Sequence, residues 1–246
     1  LFVTLQKGMQ TLAEALVYKI SSPSLHLKTS VTNLKQNEDK TWSVETPNRP
    51  YEADAVILAI QPAKMRSLIG YLDTEWQKLL SGIPAHDSAT LNLGFQRKDV
   101  GHALDGFGFV VPAKEKKLIL GCTFSSQKFY GRAPHDFVLI RAFLGAEAVE
   151  QLKAQGENVI VQKVIQELTP ILDLKSQPMI HHLAVYNAAM SYFKPGHLSQ
   201  SARLEDKASE QKGLYLAGNG LKGVGIPDCV AAGETAAEKI FKDFGN

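Results

Sequence analysis

The sequence predicts an α/β plus α+β fold: α/β structure at both ends of the chain, with a mainly antiparallel sheet interleaved between. Three observations predict it. Ala55–Ile60 is an apolar run with no polar face, as in a strand of parallel sheet covered on both sides. Four segments between Ser88 and Leu144 alternate in polarity and are separated by Gly and Pro at regular intervals, the pattern of antiparallel sheet. Near the C-terminus, the apolar run Leu214–Ala217 feeds a glycine-rich loop and then a helical stripe.

The elements follow in order. LFVTLQKGMQTLAEAL enters at once into an amphipathic helix (Met9, Leu12, Leu16, Ile20), which reads as the middle of a longer protein. Ser24–Leu34, alternating Leu25, Leu27, Thr29 and Val31, reads as a strand. Thr41–Glu45 and Tyr51–Ile60 read as two more, around Pro47, Asn48 and Pro50. Gln61-Pro62-Ala63 ends the last, and a short helix begins at Lys64. Ser88–Arg97, Gly106–Val111, Leu118–Ser125 and Phe137–Leu144 form the antiparallel set. Val161, Val164, Ile165 and Leu168 fall on one face of a helix over Asn158–Leu168, and Met179–Tyr186 is a further strand. Val230, Gly233, Ala237, Ile240, Phe241 and Phe244 give the last helix its stripe, with Pro227 in its first turn.

Composition excludes several functions. At 44% hydrophobic and 21% charged the chain is ordinary for a globular protein, and a net charge of +2 carries no nucleic-acid footprint. Cys122 and Cys229 stand alone, without metal-ligand spacing, which fits a reduced, cytoplasmic setting. No apolar run reaches the length of a membrane span, so any membrane contact is peripheral. The adjacent His181 and His182 point to opposite faces of a strand and cannot share a metal; they and His197 read as structural or surface histidines. No metal site and no catalytic residue is legible.

Gly218-Asn219-Gly220-Leu221-Lys222-Gly223 spells the Gly-x-Gly-x-x-Gly of a dinucleotide-binding loop. That motif requires a second strand after the helix and an acidic residue about 20 positions on for the ribose. Too little chain follows Gly223 for either. The match is not a Rossmann start. Lys222 reads either as an exposed loop lysine or as a partner for a propionate or phosphate, and Asp228 as a first-turn residue facing the helix dipole.

GLYLAGNGLKGVGIPDCVAAG resembles the C-terminal motif of the FAD-dependent protoporphyrinogen and coproporphyrinogen oxidases of haem biosynthesis, members of the FAD amine-oxidase-like fold. TLQKGMQTLAEAL, ADAVILAIQPAK, DGFGFVVP, LGCTFSSQKFYGRAP and LIRAFLGA are similar to further family motifs, in the family's order along nearly the whole chain. The resemblance implies an FAD-binding Rossmann-like domain in segments 1–62 and 191–246, with a substrate-binding domain over 63–190. It implies a chain that is the C-terminal portion of an oxygen-dependent porphyrinogen oxidase. The missing N-terminal half, with its glycine loop, would then be a partner, and the isolated chain inactive. A homodimer and peripheral membrane contact are the other partners it implies.

By the same resemblance Val224, Gly225 and Ile226 would touch FAD through backbone, and Gly223 with Gly225 would let a flat ring approach. Val31 would meet the adenine end, and Tyr186 would stand where the family has Trp near the flavin. Val110, Thr123 and Phe143 would form the apolar walls around the tetrapyrrole, Thr123 replacing an apolar residue. Ser191-Tyr192-Phe193 in place of Pro-Gln-Tyr, and Tyr130 in place of Pro, are further departures. Protoporphyrinogen IX and coproporphyrinogen III are both open as substrates. The alternatives are another amine-oxidase-like flavoprotein, such as a carotenoid desaturase or amine oxidase, and a half-chain that binds a tetrapyrrole or a partner without catalysis.

Overall fold

The computed structural model describes residues 3–20 and 24–245, and the chain divides into two compact units. One comprises 1–25 and 87–187; the other, 26–86 and 188–246. These boundaries differ from the segments 1–62, 63–190 and 191–246 expected from sequence: the first helix groups with the antiparallel sheet, and 63–86 groups with the C-terminal segment.

The first unit contains helix α1 (Gln10–Lys19) and a five-stranded sheet. Its strands are β5 (Ala85–Gln96), β6 (Gly108–Val110), β7 (Ile119–Phe124), β8 (Phe137–Leu144) and β9 (Ile180–Ser191), in spatial order β6-β7-β8-β5-β9. β6–β7, β7–β8 and β8–β5 are antiparallel. Period-two alternation sends Leu91, Leu93, Phe95, Cys122, Phe124, Ile140, Ala142 and Leu144 to one face. Helices α5 (Ala146–Gln155) and α6 (Glu157–Leu172) cover that face with Val149, Ile160, Val161, Val164, Ile165, Leu168 and Leu172. A short helix α4 (Ser125–Lys128) follows β7.

The second unit holds an antiparallel meander of β1 (Asn33–Gln36), β2 (Trp42–Glu45) and β3 (Tyr51–Ala53), and a parallel pair, β4 (Val56–Leu58) with β10 (Leu214–Leu216). Helices α2 (Pro62–Ile69), α3 (Thr74–Ser81), α7 (His197–Ser209) and α8 (Ile226–Phe244) complete it. Trp42, Met65, Ile69, Trp76, Leu80 and Leu204 form its main core.

Three sequence expectations are corrected here. Ser24–Leu34 is a loop up to Thr32; Lys28 turns the backbone at φ +55 and Thr29 Oγ1 donates to the Leu27 carbonyl, so alternation there reflects no sheet. Tyr51–Ile60 is two strands in different sheets, broken at Asp54-Ala55. The buried side of α8 is Ala232, Ala236, Ile240 and Phe244, whereas Val230 and Phe241 are exposed. Helices α3, α5 and α7 had no counterpart in the sequence reading.

Helix α3 shows how one cap is written in the chain. Asp73 Oδ1 accepts from the Glu75 and Trp76 N–H groups at 2.8 and 3.0 Å, and Lys207 Nζ lies 2.8 Å from Asp73 Oδ2. The hydrogen bond from Lys207, then those from the backbone, hold this carboxyl below its usual 3.8. Asp73→Ala is expected to destabilise the protein by about 1 kcal/mol near neutral pH. Because the folded-state pKa is depressed, that contribution is complete above the ordinary carboxylate range. It disappears as pH falls below 3.8 through the folded value. Urea midpoints of wild type and variant should therefore converge in acid.

Candidate functional site

In the second unit, β10 leads through Ala217–Gly225 into α8. Each glycine of the hexapeptide has its own reason. Gly218 takes φ +103, with Ala59 and Ile60 backbone about it, a conformation that disfavours any side chain. A Cβ on Gly220 would fall against the Pro62 ring, at the start of α2. Leu221 is buried and its carbonyl accepts from His197 Nε2–H; His197 is itself buried and stacks on Phe193. Lys222 points to Glu205 at 2.8 Å, an ion pair within the unit. These features make the first half of the loop a folded turn.

The second half is different. Gly223 has no side chain where a Cβ would lie 2.3 Å from the Asp228 carboxyl. That carboxylate, placed in the first turn by the sequence, accepts the Gly225 N–H at 3.0 Å and caps α8. Gly225 sits in an ordinary extended conformation, φ −74 and ψ 155. Its carbonyl accepts from Cys229 N–H at 3.0 Å, so both its backbone groups are engaged inside the cap. Val224 and Ile226 flank it, each 49% exposed. The result is a smooth, side-chain-poor shoulder at the N-terminal end of a 19-residue helix, whose dipole favours negative charge. Val31, in the loop before β1, is exposed rather than packed in the core.

In the first unit the strand register decides the outcome. Val110 pairs with Gly121, Gly121 with Phe143, and Phe143 with Thr90. The next row along the same face is Gly108, Thr123, Arg141 and Asn92. Val110, Thr123 and Phe143 therefore stand together on the face opposite α5 and α6. Val110 is 84% exposed and Phe143 40%, while Gly121 between them is buried against β6. A Cβ on Gly121 would sit 2.8 Å from the Phe109 carbonyl oxygen. Tyr186, on β9 of the same unit, is also half exposed.

The sequence reading missed Thr90, Asn92 and Arg141, which share this face. A usable signal was present: Arg141 is two residues before Phe143 on one strand, so alternation alone places both on one side.

Cys122 is buried on the inner face, and burial pushes its thiol up to about 12. His181 lies 3.8 Å from Glu157 at the surface. Among the described residues no cluster could hold a metal ion, and no helix is long and apolar enough to cross a membrane.

A family model for flavin containing amine oxidoreductases matches residues 1–241. The chain belongs to this family. Among its curated relatives, coproporphyrinogen III oxidase of Bacillus subtilis is 27% identical over 237 residues, covering 96% of this chain and 50% of that protein. Protoporphyrinogen oxidase of Homo sapiens is 26% identical over 249 residues, covering 97% of this chain and 51% of that protein. The chain thus spans about half the length of the curated relatives it matches. Among solved structures, a putative protoporphyrinogen oxidase from Exiguobacterium superposes with a TM-score of 0.84 at 27% identity, over 96% of this chain and 51% of that one. A putrescine oxidase superposes at 0.73 with 16% identity, a likeness of fold alone.

Membership in this family fits the shoulder at Gly223–Ile226. Gly223 and Gly225 lack side chains there, and the Asp228 carboxylate lies beside both, with Val224 and Ile226 exposed on either side of Gly225. The Gly225 N–H, one of the backbone groups expected to meet a cofactor, is taken by Asp228 Oδ2, and its carbonyl accepts from Cys229 N–H.

Proposed function

We propose that the chain is the C-terminal portion of an FAD-dependent oxidase that removes hydrogens from a porphyrinogen, protoporphyrinogen IX or coproporphyrinogen III. In that role the second unit supplies flavin contacts and the first supplies a wall for the macrocycle. The observation that carries this reading is the register of β6, β7 and β8. It sets Val110, Thr123 and Phe143 on one sheet face, with Val110 and Phe143 exposed there. A large flat apolar substrate needs such a surface, and a buried catalytic triad or metal is not required when a cofactor carries the chemistry.

When bound, the flavin would supply the two-electron acceptor, with oxygen as terminal oxidant. The chain's own residues hold and orient. Val224 and Ile226 present backbone and apolar surface beside the capped helix end, and that end favours an anion. Val31 and Tyr186 are proposed as further flavin contacts, from their exposed positions in their respective units. Phe143 and Val110 exclude water from one face of the substrate.

Phe143→Ala tests the wall. In the complete, flavin-loaded protein it is expected to raise KM for porphyrinogen by roughly tenfold, with flavin content unchanged. One lost aromatic face at a ligand is worth about 1–3 kcal/mol. Steady-state kinetics with both porphyrinogens check it; unchanged kinetics would make Phe143 a mere surface residue.

The 246 residues alone are proposed to bind FAD weakly and to show no turnover. The shoulder at Gly223–Ile226 offers too few contacts to offset the cost of association. Calorimetric titration of FAD into this chain should show no saturable micromolar binding. Stoichiometric binding would mean that the shoulder suffices as a flavin site.

A further inference from the structure

The exposed face of the first unit's sheet bears one arginine beside its apolar pair. Arg141 stands cross-strand from Thr123 on one side and Asn92 on the other. It is one same-face step from Phe143, about 7 Å along the strand. Its Nε donates to Asn92 Oδ1 at 2.8 Å. That bond fixes the guanidinium plane through a neutral partner and does not compensate its charge. Among the described residues no carboxylate forms an ion pair with Arg141. The residues aligned with it on this face, Thr90, Asn92, Thr123, Leu139 and Phe143, are neutral.

An arginine stays charged throughout the physiological pH range, and its two Nη groups match a carboxylate in a bidentate fork. With Nε already held by Asn92, the Nη edge is the part left to meet a ligand. On a wall of Val110 and Phe143, one uncompensated cation selects for a molecule with an apolar body and a carboxylate at its rim. We propose that Arg141, oriented by Asn92, is a substrate-recognition residue that takes a propionate carboxylate of the tetrapyrrole. This assignment rests on the porphyrinogen reading above. Asn92 acts only through Arg141 and is a positioning residue.

The test uses the complete, flavin-loaded protein and two probes: coproporphyrin III, with four free propionates, and its tetramethyl ester. Binding is read from porphyrin fluorescence. Arg141→Gln is expected to weaken coproporphyrin III about tenfold, the scale of one charge-assisted hydrogen bond, and to leave the ester unchanged. Arg141→Lys keeps the charge without the fork and should fall between. Raising ionic strength should weaken the acid in wild type and much less in Arg141→Gln. Equal loss for acid and ester, or no loss for either, would overturn the assignment while leaving the porphyrinogen reading intact. Should Arg141→Gln fail to fold, wild-type affinity for acid no greater than for ester, or Arg141→Lys with undiminished affinity for the acid, would overturn it equally. A wild type that binds neither probe would overturn the porphyrinogen reading, and the assignment with it.

Discussion

Trp42→Ala is expected to destabilise the second unit by about 3–5 kcal/mol, a large part of the 5–15 kcal/mol that holds a typical domain together. Trp42 is fully buried on β2, in the core that includes Leu34, Leu58 and Leu214. Its Nε1–H donates to the Lys212 carbonyl at 3.0 Å, tying the meander to the turn before β10. Gly213 follows that carbonyl at φ +76, close against Asp54, and starts the strand that pairs with β4. The substitution removes the indole's apolar contacts, opens a cavity and takes one of two donors from the Lys212 carbonyl, which still accepts from Gln36 Nε2 at 2.9 Å. Trp42→Phe should recover most of the loss, since it restores ring burial and forfeits only the hydrogen bond, about 1 kcal/mol. Urea denaturation of all three proteins measures this. Equal midpoints for wild type and Trp42→Ala would contradict the role of this core.

Gly223→Val is expected to strip most flavin from the complete protein while leaving it folded. The valine Cβ would lie 2.3 Å from the Asp228 carboxyl and 2.7 Å from its Cβ, too close for a small side-chain adjustment. Asp228 must move, and with it goes the bond to Gly225 N–H that closes the helix cap. The cap itself is worth about 1 kcal/mol, so stability falls modestly. The shoulder loses its shape with the displaced carboxylate, so flavin occupancy falls severely. Gly225→Val is milder by the same logic. Its Cβ would meet Asp228 Oδ2 at 3.0 Å, and its backbone already lies where any residue is allowed. The flavin-to-protein absorbance ratio, with circular dichroism to confirm folding, reads both variants. Full occupancy in folded Gly223→Val would return the loop to an ordinary turn.

Long elements with a single dry face were legible in sequence. Phe137–Leu144 and the strand–loop–helix at the C-terminus are where periodicity placed them, because each buries one face against a partner. The short strands were less legible. Tyr51–Ile60 has no breaker at Asp54, yet it divides between two sheets, and only tertiary pairing with β2 and β10 separates the halves. Val31 was read as a strand residue by alternation, but a left-handed Lys28 leaves that segment without a ladder. Helix α8 was found with its face rotated. Small alanines, Ala232 and Ala236, make the close contact with Tyr215 and Ala217, while larger apolar residues stay outside.

The candidate substrate face shows the same division. Resemblance named Val110, Thr123 and Phe143, three residues on three strands, and only the register shows them to be neighbours. Arg141 and Asn92 join them for the same reason, and no local motif marks either. Gly225 shows the converse: its glycine was legible, but the use of its N–H by Asp228 was not.

Porphyrin fluorescence during aerobic turnover by the complete, flavin-loaded protein tests the proposed porphyrinogen oxidation. Coproporphyrinogen III and protoporphyrinogen IX would be supplied separately, with putrescine as a third substrate and oxygen uptake recorded in parallel. Porphyrin fluorescence is expected to rise with at least one porphyrinogen, at a rate proportional to enzyme, and putrescine to give no oxygen uptake. Oxygen uptake with putrescine, and no porphyrin from either porphyrinogen above the enzyme-free rate, would contradict it.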